Sequence, residues 1–560
     1  MILSFLSCVL LITAAKATPT AVLAPGDIQI VAYAADEPDA FAFVTWVDIL
    51  AGTEIFFTDE GWACDGFYPN ESIIRYTASA LLPAGSVQSY QESVSQGPDW
   101  FVVKGSVSWS GTGDQLIVYQ GTHENPTPIF AFDTTGGWED CASVDSSVKS
   151  AVPTGLVDGV SAVSFDHSDN FWYRPWYSRS ATLATMKEWM VNRNRFKTTS
   201  ASATRLSDYE VPSSFTILSG ERGTNGWTEY IPGTAPCIIL SGHDGDVYPD
   251  SIVDRNHGCL VNGECVWDKV CAPQDEIECR AVVSNDENTQ DMARRAVDIF
   301  EGFSGGRCHL VVNRLGRSKL DPNREQEEAA QFDPQAIQAY TEFHDFASQA
   351  RATITSSCGR GLVLDFHGHV HPEARVELGY KLSSALLRED DAFVDGLAYT
   401  SSIKNMPTHT GAAFSTVIRG LNSMGELFER ATSLNVTGYK SVPSPTTNAP
   451  GVGESYFQGG YNIETHGSQY GGTIDAIQIE FPRYLRADFW DMQDDMLTAF
   501  GEVVLPDYLQ HQYLFDHPGQ CQGSQSPGPT PGPTPGPTPG PTPGPTPGPT
   551  PGPTPGPTPG

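Results

Sequence analysis

The chain has 560 residues, and 33 basic against 67 acidic side chains give a net charge of −34. It is too long for one ordinary domain. Without a basic stripe, binding to phosphate backbones is not expected. Beyond the N-terminus no apolar run approaches the roughly 18 residues that cross a bilayer, so no membrane span is expected either.

Residues 2–15 are apolar apart from Ser and Thr, and Ala15-Lys16-Ala17 places small residues at a cleavage spacing. Residues 1–17 therefore read as a signal peptide and the product as secreted. Cysteine usage agrees: of eleven cysteines Cys8 leaves with that peptide, and an even number in a secretory chain favours disulfides. Cys259, Cys265, Cys271 and Cys279 fall in a polar stretch that reads as a stapled loop; a competing zinc knot lacks any CxxC spacing. Asn70-Glu71-Ser72 and Asn435-Val436-Thr437 are glycosylation sequons.

Residues 18–219 read as an antiparallel β-sandwich. Strand-length runs at 27–33, 40–48, 54–59 and 115–119 are rich in β-branched and aromatic residues, with turn signals at 51–53, 111–114 and 136–137. One helical patch is expected near 181–191. Trp62, Trp138 and Trp172 read as core before they read as a carbohydrate- or surface-binding platform. Asp133, Asp166 and Asp169 offer carboxylates for calcium, without an EF-hand loop. The Gly26-Asp27-Ile28 start and the Ala51 to Asp59 segment resemble a β-domain that recurs in secreted and surface bacterial proteins.

After a linker at 220–235 the pattern changes. Near-continuous apolar runs at 237–242, 308–313, 362–366 and 474–480 imply strands buried on both faces. Between them lie amphipathic segments. One carries Met292, Ala296, Ile299, Phe300 and Phe303 on a single stripe; the next begins at Asp333-Pro334, an N-cap followed by Pro at the first helical position. Residues 236–520 thus read as an α/β domain with a mostly parallel sheet. The whole is a multidomain chain, an all-β sandwich followed by an α/β domain. The Pro-Gly-Pro-Thr repeat within 521–560 takes polyproline-like geometry and builds no core.

Open α/β sheets place ligands beyond the carboxyl ends of their strands, and the polar residues of this half collect there. His243-Asp244-Gly245-Asp246 follows the first strand. Asn313-Arg314 through Arg317 to Asp321, Asn323 and Arg324 follow the second. Asp365, His367, His369 and His371 sit at the third, with Gln478 and Glu480 on the last. Alternation puts Asp365, His367 and His369 on one side, either converging on one ion or with Asp365 orienting His367. The segment from Tyr456 to Ser468, with Gly459 and Gly460 as hinges, reads equally as a lid or as an ordinary surface loop.

These elements, together with Tyr248-Pro249-Asp250, Asp286-Glu287-Asn288-Thr289 and the Arg317 to Arg324 run, resemble the N-formylglutamate amidohydrolase family, related in fold to the zinc carboxypeptidases. The resemblance covers roughly 236–520. It implies one Zn2+ held by His243 and His367, with either Asp246 or Asp286 as the acidic ligand. It makes Asn323 and Arg324 the grip on a substrate carboxylate and Glu480 the general base, which takes a proton from water and returns it to the leaving amine. Arg317 is the candidate to stabilise the oxyanion. Asp244 departs from the family's small residue, as extra charge that would tighten metal binding or select a cationic substrate. The implied activity is hydrolysis of an amide next to a carboxylate, on a small molecule or a peptide. The alternatives are a metallocarboxypeptidase and an inactive extracellular binding or surface protein.

Overall fold

A computed structural model describes residues 20–521 apart from 37, 93–96, 201–205, 268–277 and 433–437. The leader at 1–17, Cys271, the 435–437 sequon and the repeat tail lie outside the described residues.

The N-terminal half packs a five-stranded sheet on a six-stranded one. Ile28–Ala34 and Ala40–Thr45 pair antiparallel and are buried along their length. Their rings interlock with the facing sheet: Tyr33 lies 4.7 Å from Phe132, and Phe41 lies 4.7 Å from Phe57. Trp62 and Trp172 are buried, and Trp138 packs half-buried on a satellite cluster. The three sandwich acids do not converge. Asp133 takes hydrogen bonds from Thr135, while Asp166 is fully exposed beside Arg193. The helical patch is Leu183–Trp189.

The second half is built on an eight-stranded sheet. Its order is Glu221–Arg222, Thr228–Ile231, His309–Asn313, Cys237–Ser241, Gly361–His369, Ile474–Pro482, Val376–Gly379, Ser441–Val442. The middle four strands from His309–Asn313 to Ile474–Pro482 run parallel, but Thr228–Ile231 and Val376–Gly379 flank them antiparallel. The sheet is therefore mixed rather than mostly parallel. Residues 370–375 are too few for a crossover, so the chain returns in the opposite direction.

Residues 220–235 are not a linker. Thr228–Ile231 is a buried strand of this sheet, and its Glu229 ties the two halves together. The carboxylate takes hydrogen bonds from the Thr182 and Thr185 hydroxyls at the start of the sandwich helix, and it pairs with Arg294. Four residues of strand between turns are too short a run to stand out in a sequence.

Cys237–Ser241 shows why a central strand reads as continuously apolar. Ile238 and Leu240 pack with Phe343, Ala347 and Ile354 of the helix Pro334–Cys358 on one face. Cys237 and Ile239 pack with Met292, Ala296 and Phe300 of the helix Thr289–Ser304 on the other. Phe303, the last residue of the expected stripe, is exposed. The Asp333 carboxylate accepts from the backbone N–H of Gln335 and Ala336 at 2.9 and 3.0 Å, capping the long helix as its sequence indicates.

Disulfides join Cys64 to Cys141, Cys237 to Cys308, Cys265 to Cys279 and Cys358 to Cys521. Cys259 is disulfide-bonded as well, so a zinc knot is not built from these thiols. Among the described residues no helix is long and apolar enough to cross a membrane.

Candidate active site

The carboxyl ends of the parallel strands open into a cavity of about 540 Å³, a volume suited to a small substrate. Its floor is set by register. On adjacent strands His367 lies opposite Glu480, and Asp365 opposite Gln478, so these four side chains face one side of the sheet. His243 arrives from the loop after Cys237–Ser241, and Asp286 from the turn that opens the helix Thr289–Ser304. That turn is fixed by two bonds: Asp286 N–H donates to the His243 carbonyl at 3.0 Å, and the Thr289 hydroxyl donates to the Asp286 carbonyl at 2.8 Å.

Three atoms meet at the centre. His243 Nδ1 and His367 Nδ1 lie 2.9 Å apart, and Asp286 Oδ2 lies 3.1 and 3.2 Å from them. Each ring is held from behind by a buried carboxylate, His243 Nε2 by Asp321 at 2.6 Å and His367 Nε2 by Asp365 at 2.7 Å. With the Nε2 protons given to those acids, the two Nδ1 atoms present lone pairs to each other and to a carboxylate oxygen. Such a triangle is repulsive unless a proton or a metal ion lies among its corners. A tetrahedral ion with bonds near 2.0–2.1 Å asks for ligand atoms about 3.3 Å apart, close to what is observed. The donor set fits zinc.

Charge points the same way. Asp286, Asp321, Asp365 and Glu480 are four buried or nearly buried acids around the two rings. Against the upward push of burial, His243 and Arg317 hold Asp286 well below the usual carboxylate range. Arg317 and His243 do the same for Asp321. Burial resists a charge on His367, yet Asp365 and Asp286 raise it well above its ordinary value. The site is built to hold positive charge.

Glu480 is different. One of its oxygens accepts from the Gln478 amide at 2.7 Å, and the other is buried with no hydrogen-bond partner among the described residues. Burial, with Asp286 and Glu377 nearby, pushes its carboxyl up to about 8. An acid lining the cavity with a free oxygen and a pKa moved towards neutrality is equipped for proton transfer.

Several expected roles are redistributed. Asp246 does not join the centre; Asp286 does. The chain passes so close to the second strand at Gly245 that a Cβ there would lie 2.2 Å from the Leu315 carbonyl oxygen. The resulting turn sends Asp246 towards the sandwich, where it accepts from Asn192 at 2.8 Å. Asp244 also turns away, accepting from the Gln290 backbone N–H at 3.1 Å at the helix start. His369 faces the Arg375 carbonyl at 2.9 Å, so Asp365 orients His367 and the three do not converge on one ion.

Arg317 lines the cavity but clamps two acids. Its Nε donates to Asp321 at 3.0 Å and one terminal nitrogen to Asp286 at 3.2 Å, which makes it a positioning residue. Asn323 is buried and engaged by His367, Gln478 and the Asn462 backbone N–H. Arg324 is half-buried at the cavity wall and reaches Glu328 at 3.2 Å.

The segment after Tyr456 forms a wall of the cavity and is hydrogen-bonded to the sheet. The Tyr456 hydroxyl donates to Leu378 O at 2.6 Å, Phe457 N–H to Glu377 at 2.8 Å, and Gly460 N–H to Gln478 at 2.7 Å. Two residues had no expected role. Asn462 donates to Asp365 at 3.2 Å and steadies the acid behind His367. Arg486, buried in the cavity wall, lies against Gly368, where a Cβ would come within 2.2 Å of its Nε.

No protein-family profile and no curated protein matches the chain. Among solved structures, an N-formylglutamate amidohydrolase from Ralstonia eutropha is similar over 48% of this chain and 92% of its own, at 15% identity and a TM-score of 0.27. A gene product of Agrobacterium tumefaciens is similar over 51% of this chain and 94% of its own, at 13% identity and a TM-score of 0.27. Superpositions this loose bear on neither ligand nor activity.

Proposed function

We propose that the chain is a secreted zinc-dependent amidohydrolase that cleaves an amide bond next to a carboxylate. The observation that carries this reading is the triangle of His243 Nδ1, His367 Nδ1 and Asp286 Oδ2, with edges of 2.9–3.2 Å and a buried acid behind each ring. These three residues would hold the ion. When bound, zinc supplies a Lewis acid and lowers the pKa of water towards ~7.

The protein's own groups do the rest. Asp321 and Asp365 fix the tautomer and angle of the two imidazoles, and Arg317 holds Asp286 and Asp321 in place. Glu480, with its free oxygen beside His367, takes a proton from the attacking water. Arg324 and Arg486 are the cations of the wall left to meet a substrate carboxylate, and Tyr456 and Phe457 face its apolar part. Disulfides throughout the chain support an oxidising, extracellular compartment.

Metal analysis of the purified full chain, with N-formyl-, N-acetyl- and peptidyl-amino acids as substrates, tests this. About one zinc per chain is expected, together with turnover of an N-acyl amino acid and loss of both in His367→Ala. Absence of bound metal, or turnover that survives His367→Ala, overturns the proposal. Turnover of peptides alone would make the chain a carboxypeptidase.

A further inference from the structure

His369 and His371 line the same cavity, with Glu377 buried behind them, and have no part in the reaction as described so far. His371 Nδ1 lies 2.9 Å from Glu377 Oε1, and the other Glu377 oxygen accepts from Phe457 N–H at 2.8 Å. Glu377 is fully buried. It sits directly opposite Glu480 on the neighbouring strand, which places His367, Glu480 and Glu377 in one row across three strands. The His371 ring packs between His369, at 4.7 Å, and Phe457, at 4.6 Å, and its backbone N–H donates to His369 Nδ1 at 3.0 Å. The ring is thus fixed on three sides. Its Nε2 is the nitrogen without a partner among the described residues, on a side chain that lines the cavity.

His369, His371 and Glu377 also lie close enough to be considered for a metal. Their bonding argues otherwise. Both His369 nitrogens are engaged, one by the His371 N–H and the other at the Arg375 carbonyl, and Glu377 has an acceptor role filled on each oxygen. What remains is an imidazole backed by a buried carboxylate, the arrangement that orients a histidine for proton transfer.

We propose that His371, positioned by Glu377, is the proton donor to the leaving amine. The proposal rests on the amidohydrolase reading and gives that reaction an acid separate from its base. Glu480 accepts a proton from water as the water oxygen bonds to the amide carbon. The C–N bond then breaks, its electron pair goes to nitrogen, and nitrogen takes the proton from His371 Nε2. The immediate products are a carboxylic acid and a free amine, which ionise in solvent. Glu480 releases its proton to solvent and His371 regains one, so both start the next turnover unchanged.

A leaving group that departs without a proton distinguishes this role from a structural one. The full-length protein is assayed on an N-acyl amino acid and on its S-acyl mercapto-acid counterpart, whose thiolate needs no acid. His371→Ala should lower kcat/KM for the amide by about 10²- to 10⁴-fold and leave the thioester within about tenfold of wild type. Glu377→Gln, which keeps the side-chain shape, should show the same split in weaker form. Zinc content and thermal midpoint should be those of wild type in both variants. Equal losses on the two substrates, or none, overturn the donor role. Metal lost with His371→Ala also overturns it, in favour of a ligand. If wild type cleaves neither substrate, the amidohydrolase reading itself falls, and this role with it.

Discussion

Two sets of buried acids, one in the sandwich and one at the α/β cavity, are surrounded in opposite ways. In the sandwich four buried acids meet donors, although one buried oxygen of Asp169 has no partner among the described residues. Asp59 accepts from Ser72 N–H at 2.7 Å, Asp114 from Ser110 N–H at 2.9 Å, Asp39 from Trp109 N–H at 2.7 Å and Asp133 from Thr135 N–H at 3.0 Å. Such acids pin turns and loops, and their lone pairs are answered within the fold. In the α/β half acceptors meet acceptors: two imidazole nitrogens and a carboxylate oxygen converge, and a neighbouring glutamate keeps an oxygen free. Burial alone does not separate structure from function, since both sets are buried. What separates them is whether the polar atoms are answered from inside the chain or wait for something from outside.

That contrast can be broken at several points. The largest effect is expected at Glu480. Glu480→Gln removes the proton acceptor and leaves the triangle intact, so kcat for an N-acyl amino acid should fall by about 10²- to 10⁴-fold with zinc still bound. Unchanged turnover would take Glu480 out of the base role. Next comes the acid behind His243. Asp321→Asn should weaken zinc affinity by about 10- to 100-fold, measured by competition with a chelator; unaltered affinity would mean that the ring needs no such support. Smaller again is Arg324→Ala. Loss of one charge-assisted contact should raise KM about tenfold for carboxylate substrates at nearly constant kcat, and an unmoved KM would shift the anchor to Arg486.

Much of this site is legible in the sequence, for a physical reason. A strand alternates sides, and open α/β sheets carry their ligands at strand ends. His367 and Glu480 could therefore be placed at the carboxyl ends of two strands from their positions in apolar runs, and the register sets them opposite each other. Asp246 stood beside Asp286 as a candidate because it lies three residues after His243, and such a spacing counts residues along the chain. The close packing at Gly245, which turns that acid away, is a tertiary fact. Arg486 lies in a single turn of π-helix after the last strand, too short for any periodicity to point to it. The antiparallel flanking strands escaped for a similar reason: Thr228–Ile231 and Val376–Gly379 are four residues each, and their pairing depends on partners far away in the chain. Asn323 and Arg317 have the chemistry to grip a substrate, yet neighbours invisible in the sequence engage them first.

The mildest test lies in the sandwich and asks whether its acids are structural. Burial pushes Asp59 up to about 7, against hydrogen bonds from Ser72 that favour its charged form. A carboxyl raised in the folded state binds its proton more tightly there than in the unfolded chain. Between the unfolded value near 4 and the folded value, the unfolded state therefore holds fewer protons, and stability falls as pH rises. Below that window the protonated acid contributes its full share; above it the chain carries a buried charge at a cost. Asp59→Asn keeps the shape without the titration, so its stability relative to wild type should increase from pH 4 to pH 7. At its steepest the difference grows by about 1.4 kcal/mol per pH unit, or about 3–6 °C in Tm for a domain of about 150–250 residues. Thermal unfolding across that range reads it directly. A constant offset would show that Ser72 and the surrounding backbone already stabilise the charged acid, and the contrast with the cavity acids of the α/β half would sharpen.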